Sequence, residues 1–159
     1  KLIRKWNLNM CEVSDGSIDM NHIEKCNYIK DLSKEFRVVS EVGSKDEKKL
    51  IAPYKWIELM QKELEAGSWK IIAEAREGGN VGIFNKGGDV RSDLIDEILT
   101  TIPNKNILWE APKKPQQVWF IKLLGPNVNL GNIGWQEVIP LETLRIGLRG
   151  DTFHDFLNK

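Results

Sequence analysis

Four short apolar runs in this chain each carry one glutamate near the C-terminal end: Met10-Cys-Glu-Val-Ser14, Val38-Val-Ser-Glu-Val42, Ile71-Ile-Ala-Glu-Ala-Arg76 and Ile107-Leu-Trp-Glu-Ala111. Read as strands, their two-residue side-chain period places Glu12 with Ser14, Glu41 with Val39, Glu74 with Ile72 and Arg76, and Glu110 with Leu108 on one face. The other face keeps Cys11, Val13, Ile71, Ala73, Ile107 and Trp109. In a fifth stretch, Gly125-Pro-Asn-Val-Asn-Leu-Gly-Asn-Ile133, Asn127 and Asn129 alternate with Val128 and Leu130. If the five strands run parallel, four carboxylates and two amides converge at one end of the sheet. Such groups need charged or hydrogen-bonding partners once buried, so the cluster reads as a binding site. Lys45, just beyond the second strand, is placed to reach back over the carboxylates. Arg76 is a planar fork suited to phosphate, carboxylate or sulfonate.

The segments between these strands have helical signals. Asn21 with Glu24 resembles a capping box and is followed by a stripe of Ile23, Cys26, Ile29, Leu32 and Phe36. A second helix begins near Pro53, presents Ile57, Met60 and Leu64, and ends at Gly67. The glycine-rich segment from Glu77 to Gly88 permits close backbone approach to a ligand, yet matches neither a Walker loop nor a dinucleotide fingerprint; a mobile surface loop is an equal reading. Asp89 suits the N-cap of a third helix with Val90, Leu94, Ile95 and Ile98 inward, stopped before Pro103. A fourth helix runs from about Pro115 to Leu124, and Pro140 divides a last helical region between Trp135 and Arg149. Arg145 and Arg149 read as structural. Strict alternation of five strands and five helices predicts an α/β fold with a parallel sheet and right-handed crossovers. Length favours a doubly wound domain, because a complete eightfold barrel needs at least roughly 200 residues. Polar groups at every strand end favour a barrel, since a doubly wound sheet gathers ligand at one switch point.

At 159 residues the chain has the size of one domain. Lys plus Arg and Asp plus Glu number 23 each, so no net field draws the protein to nucleic acid or an anionic membrane, and neither partner is expected. No apolar run approaches the roughly 18 residues of a membrane span, and the first residues do not resemble a signal peptide. Cys11 and Cys26 are too few for a disulfide framework and lack metal-site spacing; they read as reduced core thiols of a cytoplasmic protein. His22 and His154 have no second ligand at metal spacing and read as surface or cap residues. The six tryptophans read mainly as core. The opening Lys1-Leu-Ile-Arg-Lys-Trp6 lacks a methionine and looks like the tail of a helix, so the sequence is expected to begin inside a larger protein.

Several longer motifs carry a family resemblance: Glu12-Val-Ser-Asp-Gly-Ser17, Ser40-Glu-Val-Gly-Ser-Lys-Asp46, Glu74-Ala-Arg-Glu77, Asp89-Val-Arg91 and Trp109-Glu-Ala-Pro112. With them go the Gly125 to Ile133 stretch and Leu141-Glu-Thr-Leu-Arg-Ile-Gly-Leu-Arg-Gly-Asp-Thr152. In this order, over nearly the whole chain, they resemble the phosphosulfolactate synthase family, which includes heat-stress-associated homologues of plants. The resemblance implies a parallel (β/α) barrel of TIM type, with this chain covering strands four to eight of eight as a single domain and the family's first three units without a counterpart. It further implies Mg²⁺-dependent addition of sulfite to phosphoenolpyruvate, giving (2R)-3-phosphosulfolactate, a step of coenzyme M biosynthesis. Lys45 is then the expected acid, with Glu41 and Glu12 orienting it, Arg76 or water. Mg²⁺ takes only one or two protein carboxylates, and Glu74 and Glu110 are the expected pair. Ser14, Arg76, Asn127, Asn129, Gly131 and Asn132 are the expected substrate contacts, the turn at Asn129 to Asn132 lying where barrels commonly bind phosphate. A different nucleophile at the same site, or a noncatalytic stress-associated barrel, are the alternatives. A partial barrel exposes two sheet edges and the apolar backs of its terminal units, which another chain, including a second copy in a homo-oligomer, would cover.

Overall fold

A computed structural model describes residues 2–16, 18, 20–44 and 51–156. A short helix α1 (Leu2–Lys5) leads into β1 (Met10–Val13). There follow α2 (His22–Leu32), β2 (Arg37–Val42), α3 (Pro53–Ala66), β3 (Lys70–Ala73), α4 (Ser92–Thr101), β4 (Ile107–Glu110), α5 (Lys114–Leu124) and β5 (Leu130–Gly131). The chain closes with α6 (Val138–Arg145) and α7 (Phe153–Phe156). All strand pairs are parallel and the spatial order is β1-β2-β3-β4-β5. A doubly wound sheet reverses its order at a switch point. Here every crossover steps to the next strand in the same direction, which is the winding of a β/α barrel. The fold is therefore an all-parallel α/β sheet of partial-barrel type, and the shorter-domain alternative is set aside.

The helices pack on the face that carries Ile71, Ala73, Ile107 and Trp109, with Met60, Leu94, Ile95, Ile98 and Phe120 completing one core. Trp109 is fully buried; its ring stacks on Phe120 at 5.1 Å and its Nε1 donates to Asn104 Oδ1 at 3.0 Å. A smaller cluster of Val13, Ile29 and Val38 lies under α2. The glutamates lie on the opposite face. Its register is Glu12 beside Val39, and Glu41 beside Ile72, which is itself beside Leu108. No helix among the described residues is long and apolar enough to cross a membrane.

Several local expectations are corrected. The side chain of Ile23 points to solvent, at 72 % exposure, and Lys25 takes the inward position on α2. Asp89 does not cap α4, which starts three residues later; instead the Asp89 N–H donates to Asn85 Oδ1 and its carbonyl accepts from Asn85 N, closing a turn. Pro140 sits in the first turn of α6, where a missing N–H costs nothing, so the helix is not divided there. The glycine-rich segment is not a loose surface loop, because it sends Val81, Ile83 and Phe84 into the core. Only part of the tryptophan set is core: Trp56 and Trp109 are buried, whereas Trp6, Trp69 and Trp135 are exposed, Trp135 at 82 %. Exposed apolar side chains gather beside β1, at Leu8 and Met10, and beyond β5, at Val138 and Ile139.

The central position of Trp109 makes a testable demand. Trp109→Ala should lower unfolding free energy by about 3–5 kcal/mol in urea titrations. A loss under about 1 kcal/mol would show that the core does not depend on the strand-to-helix stack.

Candidate active site

Glu74 lies at the first position after β3 and is 1 % exposed. Its burial demands partners. One is local: Arg76 N donates to Glu74 Oε1 at 2.6 Å, which requires the chain to turn sharply, and Arg76 adopts φ 58°. Left-handed backbone costs a side-chain-bearing residue on the order of 1–2 kcal/mol, so the conformation is held by its surroundings. Two glycines supply the space. A Cβ on Gly43 would fall 2.3 Å from Glu74 Cβ, and one on Gly82, at φ +66°, would fall 1.9 Å from the Glu74 carbonyl oxygen. The same carbonyl accepts from Ile83 N at 3.1 Å, so the glycine-rich segment returns directly against Glu74.

Glu110 ends β4, and its Oε2 accepts from Ala75 N at 2.8 Å, crossing to the neighbouring strand. Charge-assisted bonds from main-chain N–H groups thus orient both carboxylates. On β2, Glu41 is nearly buried, and its Oε1 accepts from Ser14 Oγ at 2.7 Å. Glu12, Glu41, Glu74 and Glu110 together line one cavity of about 490 Å³, with Arg76, Glu77, Gly78 and Asn132. Asn132 also has positive φ, at 55°, a conformation that asparagine tolerates. The cavity lies at the C-terminal end of the parallel strands, and Arg76 is among the residues that line it.

Glu12, Glu41, Glu74, Arg76, Glu110 and Asn132 are thus brought together as expected, and Ser14 joins them through Glu41. Asn127 and Asn129 are not. The pairing of Trp109 with Leu130 and Glu110 with Gly131 puts Asn129 beside Leu108, one layer below the carboxylates, and Asn127 lies in the turn before it. Both line a second cavity of about 660 Å³ with Lys70 and Arg145. The side chain of Asn129 is engaged there, its Nδ2 donating to the Ile107 carbonyl at 3.1 Å. Gly131 stands level with Glu110, and a Cβ there would lie 2.0 Å from Leu108 Cδ2, so its evident part is to admit that leucine. Lys45 lies outside the described residues.

Gln116, nearly buried on α5, gave no signal in the sequence. Its Nε2 donates to the carbonyls of Gly79 and Gly88 at 2.9 and 3.1 Å, clipping both ends of the glycine-rich segment beside the cavity. An interior glutamine reads as a solvated helix residue until its partners, 37 and 28 positions away, are known.

The donor set is all oxygen, which suits a hard divalent cation, and two carboxylates are as many as Mg²⁺ requires. The described residues contain no group of three or more His, Cys, Asp or Glu arranged to hold a metal ion. Glu74 and Glu110 are the two carboxylates that could hold such an ion.

A consecutively wound β/α sheet with an acidic cavity at its strand C-termini is a barrel-type domain carrying a pocket where such barrels place their active sites. A profile of the (2R)-phospho-3-sulfolactate synthase (ComA) family matches residues 1–151, and the chain belongs to that family. It is 47 % identical over 145 residues to the phosphosulfolactate synthase of Bacillus subtilis (strain 168), covering 89 % of this chain and 58 % of that protein. It is 42 % identical over 153 residues to the phosphosulfolactate synthase of Methanothermobacter thermautotrophicus, covering 94 % and 59 %. Protein HEAT-STRESS-ASSOCIATED 32 of Arabidopsis thaliana is 30 % identical over 82 residues, 52 % of this chain and 27 % of its own length. The chain spans about three fifths of the length of the two synthases it matches.

The clamp on Glu74 predicts that Gly82→Ala costs at least about 1 kcal/mol in urea titrations, from left-handed backbone strain alone. A variant as stable as the parent would remove the clamp from the account.

Proposed function

We propose that the protein is a lyase of this family that adds sulfite to phosphoenolpyruvate, giving (2R)-3-phosphosulfolactate. The observation that carries the proposal is the meeting of Glu74, Glu110 and Arg76 in one cavity at the strand C-termini, in a chain whose relatives bear the synthase name. In the reaction the sulfite sulfur lone pair forms a bond to the methylene carbon. The π electrons of the double bond pass into the carboxylate as an enediolate, and a proton then goes to the carbon bearing the phosphate ester.

Both substrates are anions, and like unit charges 4 Å apart repel by about 4 kcal/mol at an effective dielectric constant of 20. A pocket lined by five glutamates would reject them unless countercharge is present. Arg76 supplies one fork to the phosphate, carboxylate or sulfonate. Glu74 and Glu110 would hold Mg²⁺, which when bound stabilises the developing charge on the substrate carboxylate. The main-chain bonds from Arg76 N and Ala75 N hold these two glutamates in fixed directions before ligand arrives, so little reorganisation is needed. Lys45 is the proposed proton donor, as the resemblance implies, with Glu41 and Glu12 orienting it. Ser14 fixes Glu41 for that task, and Asn132 adds an amide at the phosphate side.

Phosphorus NMR of phosphoenolpyruvate with sulfite and Mg²⁺, using the intact protein, should show a product that requires sulfite and disappears with chelator. Glu110→Gln and Lys45→Ala should each slow turnover by about 100-fold or more. Absence of product would remove the reaction, and full turnover in both variants would remove the residue assignments.

A further inference from the structure

A buried charge cluster lies behind the cavity, between α2, α3 and the ends of β1 and β2. Lys25 is only 2 % exposed, and its Nζ donates to Asp15 Oδ1 at 2.9 Å, to Glu63 Oε1 at 2.9 Å and to the main-chain carbonyl of Glu41. Glu63 is fully buried, and His22 Nε2 lies 3.2 Å from the same Oε1. Burial alone would push Lys25 toward neutrality; Glu63 and Asp15 outweigh it and hold the ammonium's pKa above its ordinary value. An ammonium with a carbonyl as its third partner is costly to build, so its position matters.

That position follows from strand lengths. The last pair between β1 and β2 is Val13 with Ser40, while β2 continues to Val42. Glu41 therefore lies past the last residue of β1 on that side, and its carbonyl accepts from the Lys25 ammonium. The ammonium also ties in Asp15, on the segment that carries Ser14, and Ser14 holds the Glu41 carboxylate at 2.7 Å. We propose that Lys25 is a positioning residue for the active site: anchored by Glu63 and Asp15, it caps the end of β2 and thereby fixes the Glu41 carboxylate against Ser14 in the cavity. The kinetic consequence rests on the reaction proposed above; the structural consequence does not.

Removing Lys25 alone would strand the buried Glu63 charge, so the test removes both. Replacing a buried ion pair by apolar side chains is often neutral for stability, and Lys25→Met with Glu63→Met leaves Asp15, which is partly exposed, able to turn to water. A crystal structure of this double variant should show the Ser14–Glu41 contact broken. A contact retained below about 3.2 Å overturns the proposal. In the intact protein, kcat should fall about tenfold or more with KM for phosphoenolpyruvate within about threefold, the pattern of a misplaced group rather than a lost binding contact. A folded double variant with kcat within about twofold of the parent also overturns it. If the double variant does not fold, Asp15→Asn weakens the same anchor and should lower kcat by about threefold with KM unchanged; an unchanged kcat again overturns the proposal. A parent that makes no product removes the reaction, and the crystal structure then decides the Lys25 assignment by itself.

Discussion

The buried carboxylate of Glu74 is the constraint from which the rest of the site follows. A carboxylate this enclosed is tolerated only where its oxygens are met by donors and its neighbours make room. The neighbours are glycines at 43 and 82, and a donor is the N–H of Arg76, which obliges that residue to take left-handed backbone. That backbone turn keeps Arg76 among the residues that line the same cavity as Glu74. One local arrangement therefore sets an anion, a cation and the root of the glycine-rich segment at the end of β3.

The same segment is drawn toward the core by Val81, Ile83 and Phe84, and it is clipped by Gln116. A loop with that many glycines would otherwise be expensive to order. Its fixed path leaves Glu77 and Gly78 lining the cavity. Across the sheet, Glu110 reaches over to Ala75 N, so the ends of β3 and β4 are joined by a side chain as well as by their ladder. Glu41 depends on more distant support, from Ser14 on one side and the ammonium of Lys25 at its carbonyl on the other.

How much of this was legible in the sequence follows from what a two-residue period can say. It specifies a face, and Glu12, Glu41, Glu74 and Glu110 do share one cavity. It does not specify height along the sheet. Asn129 lies below the carboxylates, because β5 pairs with β4 through Leu130 and Gly131, and Asn127 falls in the turn before it. Consecutive winding was available only as a choice between two architectures, since strand order depends on pairing that no local pattern encodes. The family motifs favoured one choice, and the register confirms it. Lys25 and Gln116 escaped because a polar residue on a helix is ordinarily solvated; the partners that hold them come from distant parts of the chain. Ile23 misled for the converse reason, an apolar residue at a plausible position whose place was taken by a paired lysine.

The proposed reaction requires cation and substrate to meet at the carboxylate end of the sheet, not at the amide-lined cavity below it. Mn²⁺ titrated into isotope-labelled intact protein with phosphoenolpyruvate tests it directly, because the paramagnetic ion broadens nearby amide signals. Ala75, Arg76 and Ala111 should broaden first while Lys70 and Asn129 stay sharp. Early broadening at Lys70 and Asn129, with Ala75 and Arg76 unaffected, would contradict it.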